Sequence, residues 1–324
     1  MNWKDEWPEG TEEIEYKSTL DFTTQKMLAY SSKDNTMKPL LVALHTWSYG
    51  YDSAGNETIY AKWCIENNWV MIHPDFRGMN NTPKAMGSKW AVQDIADAVE
   101  YIREREKIDS DRIYLVGASG GGHMAMLAAG KLPHIWAGVS AWVGIYDILQ
   151  WWKDTNSAGL GYTTMIEQSI GGSPEKDITL QKECLERSPA CCFYIAKGLN
   201  IDINAGVNDG RSGSVPFYHS LQAFNAVADD MDKIPGDVIR EFYKTQSAPL
   251  SDCGLADNFY RKKQPVYRKI SGNSRITIFN GGHEIIYNAA LNWLAAQRKG
   301  TSAVWDIKCY YRIQEDNVDS IVKK

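Results

Sequence analysis

The sequence predicts an α/β fold, a mostly parallel central sheet flanked by helices, and three observations predict it. Short apolar runs recur along the 324 residues with helical stretches between them, the alternation expected when helices cross over between parallel strands. One run, Ile113-Tyr114-Leu115-Val116, leads into Gly117-Ala118-Ser119-Gly120-Gly121. That in turn opens Gly122-His123-Met124-Ala125-Met126-Leu127-Ala128-Ala129, which reads as a helix. The composition, 44% hydrophobic and 23% charged, is that of an ordinary globular chain, and the length allows one large domain with insertions. Residues 1–324 are read as that one domain.

Each element has its own signal. Residues 14–17 and 25–30 read as an antiparallel pair, and 39–45 as a buried strand because it is apolar almost throughout. A helix is expected over 60–67 and a strand over 69–76. Residues 91–105 carry an Ala/Ile/Val face at helical spacing. After the strand at 113–116 and its helix come strands at 136–144, 199–205 and 275–280. Helices over 215–228 and 284–297 follow the last two. Two segments break the alternation, about 146–197 and 228–273. Both exceed a normal connection, so they are read as functional insertions, of the kind that lie above the strand ends, or as extra helices. The extension at about 302–324 contains Val304-Trp305-Asp306-Ile307 and Tyr310-Tyr311 and reads as an added edge strand.

Charge and composition exclude several function classes. A net charge of −5 argues against nucleic acid or an anionic membrane as partner. No stretch approaches the ~18 apolar residues of a membrane span. The polar start, Met1-Asn2-Trp3-Lys4-Asp5-Glu6-Trp7, has no leader pattern, so a cytoplasmic enzyme is expected, or a secreted one if a leader has been removed. The six cysteines (Cys64, Cys184, Cys191, Cys192, Cys253, Cys309) show neither C-x-x-C nor zinc spacing. Buried thiols are expected, with a bridge among Cys184, Cys253 and Cys309 left open, and neither metal nor cofactor is expected. The 12 tryptophans are read as core packing, with some lining a pocket for flat or sugar-like substrates.

Strand, G-x-S-x-G and helix in direct succession form the nucleophile elbow of an α/β-hydrolase. Its turn is too tight for bulk two residues either side of the serine, and Gly117 and Gly121 supply none. A serine nucleophile needs a base, and the base an orienting carboxylate, in the chain order Ser, Asp, His. Of six histidines, His283 follows a strand through Asn280-Gly281-Gly282 near the C-terminus, as required. His45 and His73 precede the serine, while His134 and His219 sit in or beside helical segments. His123, one helical turn beyond Ser119, is either a pocket wall or a buried, hydrogen-bonded residue. For the acid, Asp209 lies in Gly206-Val207-Asn208-Asp209-Gly210 after a strand, whereas Asp202 is inside that strand and Asp229, Asp230 and Asp232 come after the helix.

The oxyanion of an acyl-transfer intermediate needs amide donors. Gly120 N–H is one candidate and Trp47 N–H, in Leu44-His45-Thr46-Trp47-Ser48-Tyr49-Gly50, the second. The Trp47 ring is expected to face the substrate or cover the hole. Tyr49, Trp142, Tyr146, Trp151 and Trp152 are the aromatic residues expected near the mouth. For Trp151 and Trp152, anchoring of the insertion to the body weighs about equally with substrate contact.

Pro74-Asp75-Phe76-Arg77-Gly78, Gln93-Asp94-Ile95-Ala96-Asp97-Ala98, Ile108-Asp109-Ser110-Asp111-Arg112-Ile113, the elbow, Gly206-Val207-Asn208-Asp209, Val215-Pro216 and Gly281-Gly282-His283-Glu284 occur in that order. This set, spanning about residues 39–297, resembles the catalytic domain of the prolyl oligopeptidase family within the α/β-hydrolases. The resemblance implies the triad Ser119, Asp209, His283. The chain departs from the family in having too few residues before Pro39 for a propeller, and in Thr46-Trp47 where a glycine-bearing loop is commoner. Domains of this kind without a propeller look similar to carboxylesterases, including acetyl and feruloyl esterases of plant polysaccharides. A serine carboxylesterase acting on a small ester or acylated saccharide is therefore the first expectation. A family peptidase is the second; it needs an anion for a peptide N-terminus, with Glu167, Glu183 and Glu186 as candidates. A binding module without catalysis is the third.

Overall fold

In the computed structural model, which describes residues 4, 6–32, 34–249 and 256–307, nine strands form one sheet. They are β1 (Glu12–Lys17), β2 (Thr24–Tyr30), β3 (Lys38–Leu44), β4 (Val70–Pro74), β5 (Ile108–Ala118), β6 (Gly138–Trp142), β7 (Ile201–Gly206), β8 (Pro265–Ser271) and β9 (Ser274–Phe279). The order across the sheet is β1-β2-β4-β3-β5-β6-β7-β9-β8. From β4 to β9 neighbouring strands run parallel, and β1, β2 and β8 add antiparallel edges. The expected α/β-hydrolase architecture is therefore present. Central strands β3, β6, β7 and β9 are buried at every position, as helices on both faces demand. β1, with Glu12, Glu13 and Glu15, presents charge on an outer edge, which discourages pairing with another chain.

The helices are α1 (Thr58–Asn67), α2 (Lys89–Arg103), α3 (Gly120–Lys131), α4 (Ile148–Ser157), α5 (Tyr162–Ile170), α6 (Ile178–Glu186), α7 (Tyr218–Val227), α8 (Gly236–Thr245) and α9 (Tyr287–Ala295). α2 begins where Ser88 Oγ accepts the Ala91 N–H, and it buries Ala91, Ile95, Ala98 and Ile102 along one face. α3 is buried from Gly120 to Gly130, which its run of small residues permits. Among the described residues no helix is long and apolar enough to cross a membrane.

Several expectations need correction. The helix expected from Glu284 starts at Tyr287, because Ile286 is extended and Glu284 spends its carboxylate on the Gly282 N–H. The segment 228–273 is not wholly an insertion: it ends in β8, which pairs antiparallel with β9 at the sheet edge. The segment 146–197 does form a helical unit, α4–α6, with its own small core of Ile148, Trp151, Trp152, Ile166, Ile170 and Cys184, joined by Trp47 and Met86 from the body. Val304–Ile307 form no strand. Instead Trp305 stacks on Trp293 with the Arg275 guanidinium 4.9 Å from its ring, while Tyr310-Tyr311 lie outside the described residues. Cys64, Cys184, Cys191 and Cys192 are free thiols, so Cys184 takes part in no bridge; Cys253 and Cys309 lie outside the described residues.

Candidate active site

The loops after β3, β5, β7 and β9 meet at one end of the parallel sheet, the carboxyl end where α/β folds open a crevice. Ser119 sits between β5 and α3 with φ 58° and ψ −118°, a strained backbone for a residue with a side chain. Close packing forces it. A Cβ on Gly117 would lie 2.3 Å from the Gly121 carbonyl carbon, and one on Gly121 would lie 2.3 Å from the Leu44 oxygen. The strand therefore turns into the helix with no room for side chains, and Ser119 N–H is held by the Trp142 carbonyl at 2.9 Å.

His283 Nε2 lies 2.8 Å from Ser119 Oγ, and His283 Nδ1 lies 2.8 Å from Asp209 Oδ2. A carboxylate oxygen accepts, so Nδ1 carries the proton and Nε2 is left to accept the serine O–H. Asp209 is fully buried while the His283 side chain is 23% exposed, so the acid is shielded and the base is open to a ligand. Asp209 Oδ1 also accepts the N–H groups of Gly210 and Val215 at 3.0 and 3.2 Å. The structure thus brings the three residues expected from chain order into one hydrogen-bonded line.

Sequence reasoning missed three groups in this line. A Cβ on Gly213 would lie 2.3 Å from Asp209 Oδ1 and 2.7 Å from His283 Cβ, so the loop can close over the acid only with glycine there. Its signal was the second glycine of Gly210-Arg211-Ser212-Gly213-Ser214. Ser214 Oγ lies 3.4 Å from His283 Nε2. Glu284 accepts the Gly282 N–H and pairs with Lys263, fixing the histidine loop from its far side.

The other expected donors also converge. A Cβ on Gly120 would lie 2.4 Å from the Trp47 nitrogen, so the two backbones are in contact. Among the described residues no protein group accepts the N–H of Trp47 or of Gly120, the first position of α3, which leaves both for a ligand.

The aromatic residues divide. Tyr49 is 60% exposed, in the same loop as Trp47, and Tyr146 is half-buried with its phenol pushed up to about 12 by burial. Trp142 is a correction. It is fully buried, donates to Ser140 Oγ and packs near Tyr260 and Phe279, so it is core and offers no face to a substrate. His123 is likewise fully buried, with Nε2 donating to the Arg187 carbonyl at 2.7 Å, and burial pushes its pKa down to about 4. Trp151 and Trp152 are buried as anchors: Trp151 Nε1 donates to the Ser214 carbonyl, its ring meets those of Trp47 and Tyr162, and Trp152 Nε1 donates to Glu167. The Trp47 ring is buried against Trp151 and so does not face a substrate.

Comparison with known proteins places this geometry in a family. The family model described as "Prolyl oligopeptidase family" matches residues 60–233. Feruloyl esterase B of Thermothelomyces thermophilus is 25% identical over 118 residues, covering 34% of this chain and 40% of that protein. The uncharacterized protein YfhR of Salmonella typhi is 26% identical over 91 residues, 27% of this chain and 31% of that protein. The matches thus span well under half the length of these relatives. Among solved structures, the acylaminoacyl peptidase of Pyrococcus horikoshii superposes with a TM-score of 0.51 at 14% identity, covering 68% of this chain and 35% of that one. Oligopeptidase B of Leishmania major gives 0.52 at 14% identity, with 68% and 31% covered. These likenesses concern the fold, whereas the family match covers more than half of the sequence: the chain belongs to the prolyl oligopeptidase family of α/β-hydrolases.

Proposed function

We propose that the protein is a serine carboxylesterase working through an acyl-enzyme. The observation that carries this is the continuous line Ser119–His283–Asp209, which ends beside two backbone N–H groups without protein acceptors. Ser119 Oγ attacks the ester carbonyl while its proton passes to His283 Nε2, and Asp209 holds the resulting imidazolium. The carbonyl oxygen, now negative, lies against the N–H groups of Gly120 and Trp47. Collapse expels the alcohol, which takes the proton from Nε2. Water then repeats the sequence on the acyl-serine, giving up a proton to His283 and releasing the acid as Ser119 is reprotonated.

An acylated saccharide, its acyl group acetyl or feruloyl, is the proposed substrate class. The feruloyl esterase among the relatives supports it, and the exposed Tyr49 ring, two residues beyond Trp47, offers a surface for a flat or sugar-like group. A peptidase reading of the same site needs a free carboxylate for a peptide N-terminus. Two of its three candidates are engaged elsewhere: Glu167 accepts from Trp152, and Glu183 pairs with Arg187. Turnover of p-nitrophenyl acetate and methyl ferulate against an aminoacyl-p-nitroanilide tests the proposal. Ester turnover with the anilide untouched is the expected result, and preference for the anilide would overturn it.

A further inference from the structure

We propose that Glu57 is a positioning residue that sets the Trp47 N–H in the oxyanion site, an inference resting on the site reading above. The Trp47 N–H belongs to the same peptide unit as the Thr46 carbonyl. With no cis bond in the described chain, the two groups point in opposite directions. His45, fully buried, lies with Nδ1 2.9 Å from that carbonyl and Nε2 2.8 Å from the Asp75 carbonyl; as the Nδ1–H tautomer it donates to Thr46 and turns the Trp47 N–H away from the ring. The peptide unit ahead is held by Asn80, also fully buried, whose backbone N–H donates to the Trp47 carbonyl at 3.0 Å. The unit behind is held by Glu57, whose Oε1 accepts the Thr46 N–H at 3.0 Å. Three consecutive peptide units are therefore each tied at one end, and the Trp47 N–H is the group left over.

Glu57 is the telling member because its only hydrogen bond among the described residues goes to this loop. It occupies the N-cap position of α1, yet its side chain caps nothing there and turns instead to Thr46. A carboxylate that is only 9% exposed is costly to place without a partner, and Oε1 finds one in the Thr46 N–H. Its second oxygen faces His73 Nε2 at 3.2 Å, out of hydrogen-bond alignment, and His73 is itself fixed by donating from Nδ1 to the Tyr51 carbonyl at 2.7 Å. The carboxylate thus lies between the buried His73 ring and the loop. An oxyanion donor acts only where the developing charge appears, so a shift of about 1 Å costs on the order of 10²-fold in rate.

The test begins with fluorophosphonate labelling of the wild-type protein at Ser119; no label there overturns the site reading and this inference with it. Glu57→Ala is then expected to lower kcat on p-nitrophenyl acetate by about 10²-fold with KM within twofold. Affinity for an alkyl trifluoromethyl ketone, which adds to the serine as a tetrahedral oxyanion, is expected to fall by the same factor. Glu57→Gln keeps an acceptor for the Thr46 N–H and is expected to stay within tenfold of wild type. Glu57→Asp keeps the charge but withdraws it by one methylene, and is expected to lose at least tenfold should the alanine variant not fold. Labelled, folded variants with unchanged kcat overturn the proposal while leaving Ser119 in its role. So does a kcat loss without the matching loss of ketone affinity, or a glutamine variant as poor as the alanine one.

Discussion

Ser119 is held in a backbone conformation that any other environment would release, and its hydroxyl is aimed at His283 rather than packed against the core. Removing that hydroxyl therefore costs chemistry and not stability. Ser119→Ala is expected to reduce ester turnover by about 10⁶-fold with an unchanged melting temperature, and Asp209→Asn, which gives up one buried acceptor, by about 10⁴-fold with a lowered one. Steady-state rates and calorimetry on the two variants check this, and more than a few per cent of wild-type activity in Ser119→Ala would remove it from the nucleophile's role. His123 shows the opposite balance. Its folded pKa of about 4 lies below the ~6.5 of an exposed imidazole, so the unfolded chain takes up a proton first as pH falls. Stability is fully present above about pH 6.5 and is lost on the way to pH 4, by about 2 kcal/mol at pH 5. Urea unfolding at pH 7 and pH 5 should show this loss in the wild type and lack it in His123→Gln; an equal slope in both would place the titrating group elsewhere.

At the scale of elements, the insertion α4–α6 is tied to the site by tryptophans. Trp151 joins the loop after β3, through the Trp47 ring at 4.6 Å, to the loop after β7, through the Ser214 carbonyl at 2.8 Å. Trp151→Ala and Trp152→Ala should each lower stability by roughly 3–5 kcal/mol, read by denaturant melts. The ratio of acetyl to longer-acyl ester turnover should stay the same in both. A changed ratio with an unchanged melt would mean that these rings touch substrate. The strands and helices around the elbow were legible because each carries its own period and its own stop: Asn68, left-handed at φ 56°, ends α1, and Ser88 starts α2. β8 was not legible, because an edge strand with one open face needs no apolar alternation, and its pairing with β9 is decided by a neighbour in space. The burial of Trp142 was hidden for a related reason. A tryptophan on a central strand and one at a pocket mouth read alike until the packing partners are known.

At the scale of the molecule, Ser119, Asp209 and His283 could be picked out beforehand because order along the chain and strand-end placement suffice to nominate them. Glu57 and Gly213 could not, since their value lies in which backbone they approach. The proposed reaction draws its nucleophile and its electrophilic site from the chain itself. Among the described residues no group of three or more His, Cys, Asp or Glu side chains is arranged to hold a metal ion. Ester turnover is accordingly expected to be unchanged after exhaustive treatment with a chelator. A loss restored by zinc or calcium would require a different source of electrophilic assistance.

The four loops of the site come from β3, β5, β7 and β9, whose ends at Leu44 and Phe279 lie far apart along the chain, and are interleaved with β6 across the sheet. Neither half of the polypeptide holds a nucleophile, a base and an oxyanion donor together. Reactivity at Ser119 is thus a reporter of assembly: a fluorophosphonate counts molecules in which the whole parallel sheet has closed in register. During refolding its signal should rise with the last strand to dock, not with the first secondary structure to form.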